Sequence, residues 1–116
     1  MENLVEYLKQ KFKQYKKSDI VFTTHAKIQA QFREIDLEEV KENIINPKRL
    51  YFVERQEADK PNEEKYNCYF GYSKTRCHRY VVVVNKKCLV CTVIKINRRW
   101  QYVFEKKSKK RFHFSL

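Results

Sequence analysis

The stretch RYVVVVNKKCLVCTVIKI, residues 79–96, decides the fold. Two runs rich in β-branched residues flank the polar Asn85-Lys86-Lys87, which is the pattern of an antiparallel hairpin. A three-residue loop pairs Val84 with Cys88 and therefore Tyr80 with Thr92. A two-residue loop pairs Val84 with Lys87 and therefore Arg79 with Thr92. Either way Thr92 stands in an otherwise apolar strand beside an Arg-Tyr pair, and a buried threonine hydroxyl needs a partner. Arg79 and Thr92 can serve as a phosphate-holding pair; equally, threonine is a good strand former and Arg79 a solvated charge.

Outward from the hairpin, KYNCYFGY (65–72) precedes it and RWQYVFEK (99–106) follows it, both with strand composition. LYFVER (50–55) is another strand, and QEADKPNEEK (56–65) is a polar connecting loop. Before residue 48 the period changes. Leu4, Leu8, Phe12 and Tyr15 recur at helical spacing over residues 3–16. SDIVFTT (18–24) is extended or loop. A second helix covers 24–34, with Thr24 as its N-cap and Ile28, Phe32 and Ile35 as its apolar stripe. A third starts at Asp36, carries Leu37, Val40, Ile44 and Ile45, and stops before Pro47. Helices followed by strands give an α+β fold: N-terminal helices on one face of a twisted antiparallel sheet of four or five strands, with the other face exposed and basic. The chain reads as a single domain, 1–116, with a helical part at 1–47, the sheet at 50–105 and a basic tail at 106–116.

The charge is lopsided. Lys plus Arg number 26 against 14 Asp plus Glu, a net +12, and all of the excess lies after residue 65, where Glu105 is the one acid. Ten of the 17 aromatic residues lie there as well. A one-sided positive field attracts polyanions, and interleaved rings offer stacking faces to unpaired bases. No apolar run reaches the length of a membrane span, and the charged N-terminus MENLVEYLKQKFKQYKK does not read as a secretory signal. The expectation is a cytoplasmic, nucleic-acid-directed protein with no membrane association.

Cys68, Cys77, Cys88 and Cys91 supply only one close pair, whereas a zinc ribbon needs two. Cys88 and Cys91 lie three apart on a strand and point to opposite faces. The four read as small apolar residues in a reducing compartment, so neither a metal nor another cofactor is expected. His25 opens the second helix and shares a sector with Gln29 and Phe32, while Arg33 lies on the same side two turns on. Its imidazole suits proton transfer near neutrality, though a lone histidine there also serves as a simple helix-end residue. His78 and His113 are weaker candidates. His78 and Cys77 are adjacent on a strand and face opposite ways, which disfavours a Cys–His nucleophile.

The stretch from His25-Ala26 through Arg33, Glu38-Glu39-Val40 and Asn46-Pro47, followed by Arg79-Tyr80 with its valine run and by Val90-Cys91-Thr92-Val93, resembles domain-of-unknown-function family 4258 over about residues 22–97. Members often carry Arg four residues after the histidine; Gln29 departs from that. The family is similar to the RelE-like and MqsR-like toxin ribonucleases, which place helices on an antiparallel sheet and cleave RNA without a metal through attack of a 2′-OH on the adjacent phosphate. The resemblance implies that His25, Arg33, Arg79 and Thr92 form the catalytic site of an endoribonuclease, with RNA as substrate and an acidic antitoxin as partner. The alternative is a non-catalytic nucleic-acid-binding domain that uses the basic, aromatic-rich sheet face. In either case Tyr80, Arg98, Arg99, Trp100, Lys106 and Lys107 are the candidate nucleic-acid contacts. On a strand, Arg98, Trp100 and Tyr102 would share one face.

Overall fold

The computed structural model describes residues 3–102 and Phe104. The expected tail at 106–116, with Lys106, Lys107 and His113, lies outside the described residues. In chain order the elements are α1 (Leu4–Phe12), a 3-10 turn (Lys17–Asp19), β1 (Ile20–Phe22), α2 (Thr24–Phe32), α3 (Leu37–Ile45), β2 (Leu50–Gln56), β3 (Glu64–Ser73), β4 (Arg76–Val84) and β5 (Cys88–Ile96). The fold is α+β, with the helices against one face of a five-stranded sheet of order β1-β5-β4-β3-β2.

Each helix begins where a side chain takes up free backbone N–H groups. Asn3 accepts from Val5 and Glu6, Thr23 from Ala26, and Asp36 from Glu38. The second cap is thus Thr23, one residue before the expected Thr24. Leu8 and Phe12 of α1, Ala26 and Ala30 of α2, and Val40 and Ile44 of α3 are buried together with Tyr66, Phe70, Tyr80, Val82 and Val90 of the sheet. In α2 the expected stripe is corrected. Ile28 is 50% and Phe32 85% exposed, and the helix instead buries its two small residues, which let its backbone approach β5 closely. After α2 the chain reverses at Glu34, whose φ of 53° is left-handed. Ile35 N–H then bonds back to the Ala30 carbonyl, and the Ile35 side chain enters the core.

Two expectations about the strands are corrected. The sheet is not purely antiparallel, because β1 runs parallel to β5, with Ile20 opposite Cys88 and Phe22 opposite Val90. Three residues are too few to display a strand period; Ile20–Phe22 is a strand because the edge of β5 supplies its partners. The segment at 99–106 is not the final strand. Trp100 lies outside any strand, and Gln101, Tyr102 and Phe104 are helical. Trp100 and Phe104, four apart, both pack on Tyr69 and Cys77 across the sheet from the helices, joined by Phe52 and Ile96. The indole N–H donates to the Ser73 carbonyl at 2.7 Å. The ring fits because residue 71 is glycine, the only one in the chain: a Cβ there would stand 2.8 Å from the indole. The helix-free face is therefore partly covered rather than wholly exposed.

The β4–β5 hairpin has the three-residue loop, with Val84 opposite Cys88. A bulge between Val81 and Val82 then changes the register, so Thr92 faces Val81 and Tyr80 faces Val93. Neither simple loop length gives this pairing. The bulge places Thr92 on the face of Arg79, away from Tyr80.

Candidate active site

On the helix-free face, Asn67, Val81 and Thr92 form one rung across β3, β4 and β5, and Tyr69, Arg79 and Ile94 form the next. Asn67, Arg79 and Thr92 therefore surround Val81 as near neighbours on one surface. Asn67 is 5% exposed. Its amide donates to Glu54 Oε1 at 3.2 Å, while its buried Oδ1 has no hydrogen-bond partner among the described residues. The same holds for the buried Nε of Arg79. Buried polar groups in native proteins are nearly always paired, so these two atoms present a donor and an acceptor that are held out of water and unused. Thr92 is half-buried.

The helix that carries His25 is fixed along the free edge of β5. Thr23 N–H donates to the Val90 carbonyl at 3.0 Å, and Thr23 Oγ1 donates to the Cys91 carbonyl at 3.3 Å. One helical turn after His25, Gln29 Oε1 accepts the Val93 N–H at 3.0 Å. Beyond Phe22, no strand among the described residues pairs with β5 on that side, and Gln29 takes over the edge. Arginine has no acceptor atom, so Gln29 performs here a task that an arginine at this position could not. His25, Gln29 and Arg33 lie four apart along one flank of α2, with Gln29 anchored next to Thr92. His25 and Arg33 are both exposed. The fold thus brings Arg79 and Thr92 onto one face, and sets His25 and Arg33 along the β5 edge that borders it.

Two candidate contacts are placed elsewhere. Tyr80 is fully buried on the helix side, and Trp100 is 3% exposed, so neither ring offers a face to a base. Arg98 and Arg99 are exposed, but with Trp100 outside any strand the alternating track of Arg98, Trp100 and Tyr102 does not form. Lys106 and Lys107 lie outside the described residues.

Sequence reasoning missed Asn67 and a polar chain under α3. Tyr72 Oη donates to Glu39 Oε2 at 2.7 Å. Asn43 Nδ2 donates to Tyr72 Oη at 2.8 Å and to Tyr80 Oη at 2.9 Å. Tyr80 Oη lies 2.7 Å from His78 Nδ1. Burial lowers the His78 pKa, opposed by Glu39 and reinforced by Lys95, Arg76 and Arg49. Burial likewise raises the Tyr72 phenol to about 12. The signal for this chain was Asn43 itself, a polar residue between Val40 and Ile44 on the buried stripe of α3.

The family model "Domain of unknown function (DUF4258)" matches residues 22–112, and the chain belongs to this family. The match takes in α2, α3 and β2 through β5; α1 precedes it. No curated protein and no solved structure matches the chain. Among the described residues no helix is long and apolar enough to cross a membrane.

Proposed function

We propose that the chain is a toxin-type, metal-independent endoribonuclease. The observation that carries this reading is Arg79: a guanidinium with a buried, unpartnered Nε, set beside Thr92 on the helix-free face of a chain with net charge +12. Arg79 forms no ion pair with a described residue, which leaves its guanidinium free to pair with an anion. The resemblance drawn from the His25–Arg33, Arg79–Tyr80 and Val90–Val93 motifs to RelE-like and MqsR-like ribonucleases implies the same assignment.

In this mechanism His25 takes the proton of a ribose 2′-OH. The 2′-oxygen forms a bond to the adjacent phosphorus, the P–O5′ bond breaks, and the departing 5′-oxygen takes up a proton. The products are a 2′,3′-cyclic phosphate and a 5′-hydroxyl. Arg79 and Arg33 balance the charge that builds on the phosphorane, and Thr92 donates to a non-bridging oxygen. Exposure of His25 leaves its imidazole open to substrate. An acidic antitoxin would complement the basic surface and block it.

Expression in a bacterial host tests the reading. Wild type is expected to arrest growth and to fragment cellular RNA, whereas His25→Ala and Arg79→Ala should relieve both at equal protein levels. Growth arrest that persists in both variants would remove the assignment. RNA binding without cleavage in any buffer would leave the non-catalytic binding domain.

A further inference from the structure

We propose that a groove at the β3–β4 hairpin end of the sheet is a binding track for single-stranded RNA, whose lining does not include Arg79. The choice of RNA rests on the reading above, whereas the groove itself rests on its own geometry. Two adjoining cavities, about 560 and 510 Å³, share Lys74 of the hairpin turn. The first is bordered by Lys48, Arg49 and Tyr51, where the chain enters β2, and the second by Arg99 and Tyr102, beyond β5. Both volumes fall in the ~300–1,000 Å³ range of small-ligand sites.

The composition of the lining points to the ligand. Four cations, Lys48, Arg49, Lys74 and Arg99, meet along one groove, and among the described residues no carboxylate lines it. None of the four forms an ion pair with a described residue; the ion pairs there involve Lys11, Lys17 and Lys41. The Arg49 guanidinium lies 4.3 Å over the Tyr72 ring and donates to the Gly71 carbonyl. Lys48 and Arg49 also border a neighbouring cavity with Glu39 and Glu42, so the least compensated charge is at Lys74 and Arg99, where a polyanion relieves the repulsion.

The rings distinguish a nucleic acid from a plain acidic chain. Tyr51 is 52% exposed although it is large and apolar, and Trp100 holds it edge-on at 5.1 Å. Tyr102 is 47% exposed at the other end of the groove. Buried Trp100, which cannot itself stack on a base, thereby acts as the support of one that can. Cations beside half-exposed rings are what unpaired bases and their phosphates require, whereas a duplex hides its ring faces.

Binding is read with a fluorescein-labelled, 2′-O-methylated ten-nucleotide oligouridylate, which cannot undergo 2′-OH attack, by anisotropy in EDTA across a KCl series. Lys74→Gln with Arg99→Gln should weaken binding about tenfold at low salt and reduce the salt slope by roughly 1.4, at ~0.7 per phosphate contact on a single strand. Tyr51→Leu keeps the apolar bulk but removes the ring; it should weaken binding about tenfold with the slope unchanged. Lys13→Gln with Lys60→Gln removes the same charge from exposed sites elsewhere and should stay within about twofold of wild type. The groove is overturned if its double variant binds no more weakly than this control, if wild type does not bind the probe, or if Tyr51→Leu binds normally, which would leave a surface selective for charge alone. Failure of the nuclease reading looks different: wild type would bind with all of these effects yet leave unmodified RNA intact. Groove variants that bind and cut as wild type does would overturn the groove and leave the nuclease standing.

Discussion

Glu64, at the start of β3, makes the stability of the fold depend on acid in a way that can be calculated. Its carboxylate accepts hydrogen bonds from Tyr7 Oη at 2.8 Å and Tyr66 Oη at 2.5 Å, and pairs with Lys11 Nζ at 2.8 Å. These contacts tie α1 to the sheet. The Lys11 bond and then the Tyr66 bond, against a smaller opposing effect of burial, lower the carboxyl from its ordinary 4.5 to about 2. At ~1.4 kcal/mol per pH unit, that difference sets a ceiling of about 3 kcal/mol. The Glu64 and Lys11 side chains are 25% and 35% exposed, so water screens part of it, and about 1–2 kcal/mol is the working figure. Because the folded pKa is the lower one, the unfolded chain binds the proton more readily. The contribution is complete above pH 4.5 and drains away as pH falls toward 2. Thermal unfolding followed by circular dichroism should show Glu64→Gln melting about 3–10 °C below wild type at pH 7. The two melting curves should converge as the pH approaches 2.5. Equal melting temperatures at pH 7, or a gap that stays constant down to pH 2.5, would refute the reasoning.

Three further predictions concern positions where the structure departs from easy sequence rules. Gly71→Ala should lower stability by about 1–3 kcal/mol and shift tryptophan fluorescence to the red, because the new Cβ meets the Trp100 ring at 2.8 Å. Glu34→Gly should raise the melting temperature by a few degrees, about 0.5–1 kcal/mol, since residue 34 is left-handed at φ 53°. Tyr80→Phe removes the hydroxyl shared by His78 and Asn43; denaturant unfolding should show a loss of about 1–3 kcal/mol.

How much of this was legible in the sequence depended on whether the cue was local. The Val81–Val84 run, the lysine-rich turn and the Asp36 cap each signal an element within a few residues, and each is where the sequence puts it. The register of Thr92 was not readable. The β5 bulge opposite Val81 and Val82 leaves no mark in residue type, yet it alone decides that Thr92 joins Arg79 rather than Tyr80. Hydrophobic size misled at α2, because closeness to β5 favours Ala26 and Ala30 over Ile28 and Phe32. The departure at Gln29 was visible, but its purpose was not: only the edge N–H of Val93, which β1 does not reach, explains an acceptor there. Asn67 lay hidden in KYNCYFGY because strand alternation says which side a residue faces, and not whether its polar atoms find partners. Trp100 and Tyr102 read as strand because their segment is aromatic, whereas the setting of Trp100 is fixed by Tyr69 and Cys77 beneath it.

The central claim is that the 2′-OH next to the cut phosphate is the nucleophile. It is tested most directly on a labelled RNA oligonucleotide whose cleavage site has been mapped, compared with the same oligonucleotide carrying a single 2′-deoxyribose at that site, both in EDTA. The account predicts that wild type cuts the all-ribose strand to a 2′,3′-cyclic phosphate and a 5′-hydroxyl. It further predicts that the single deoxy substitution abolishes the cut and that Arg79→Ala slows it at least 100-fold. Cleavage of the deoxy-substituted strand at the same bond, or a 5′-phosphate on the product, would contradict it.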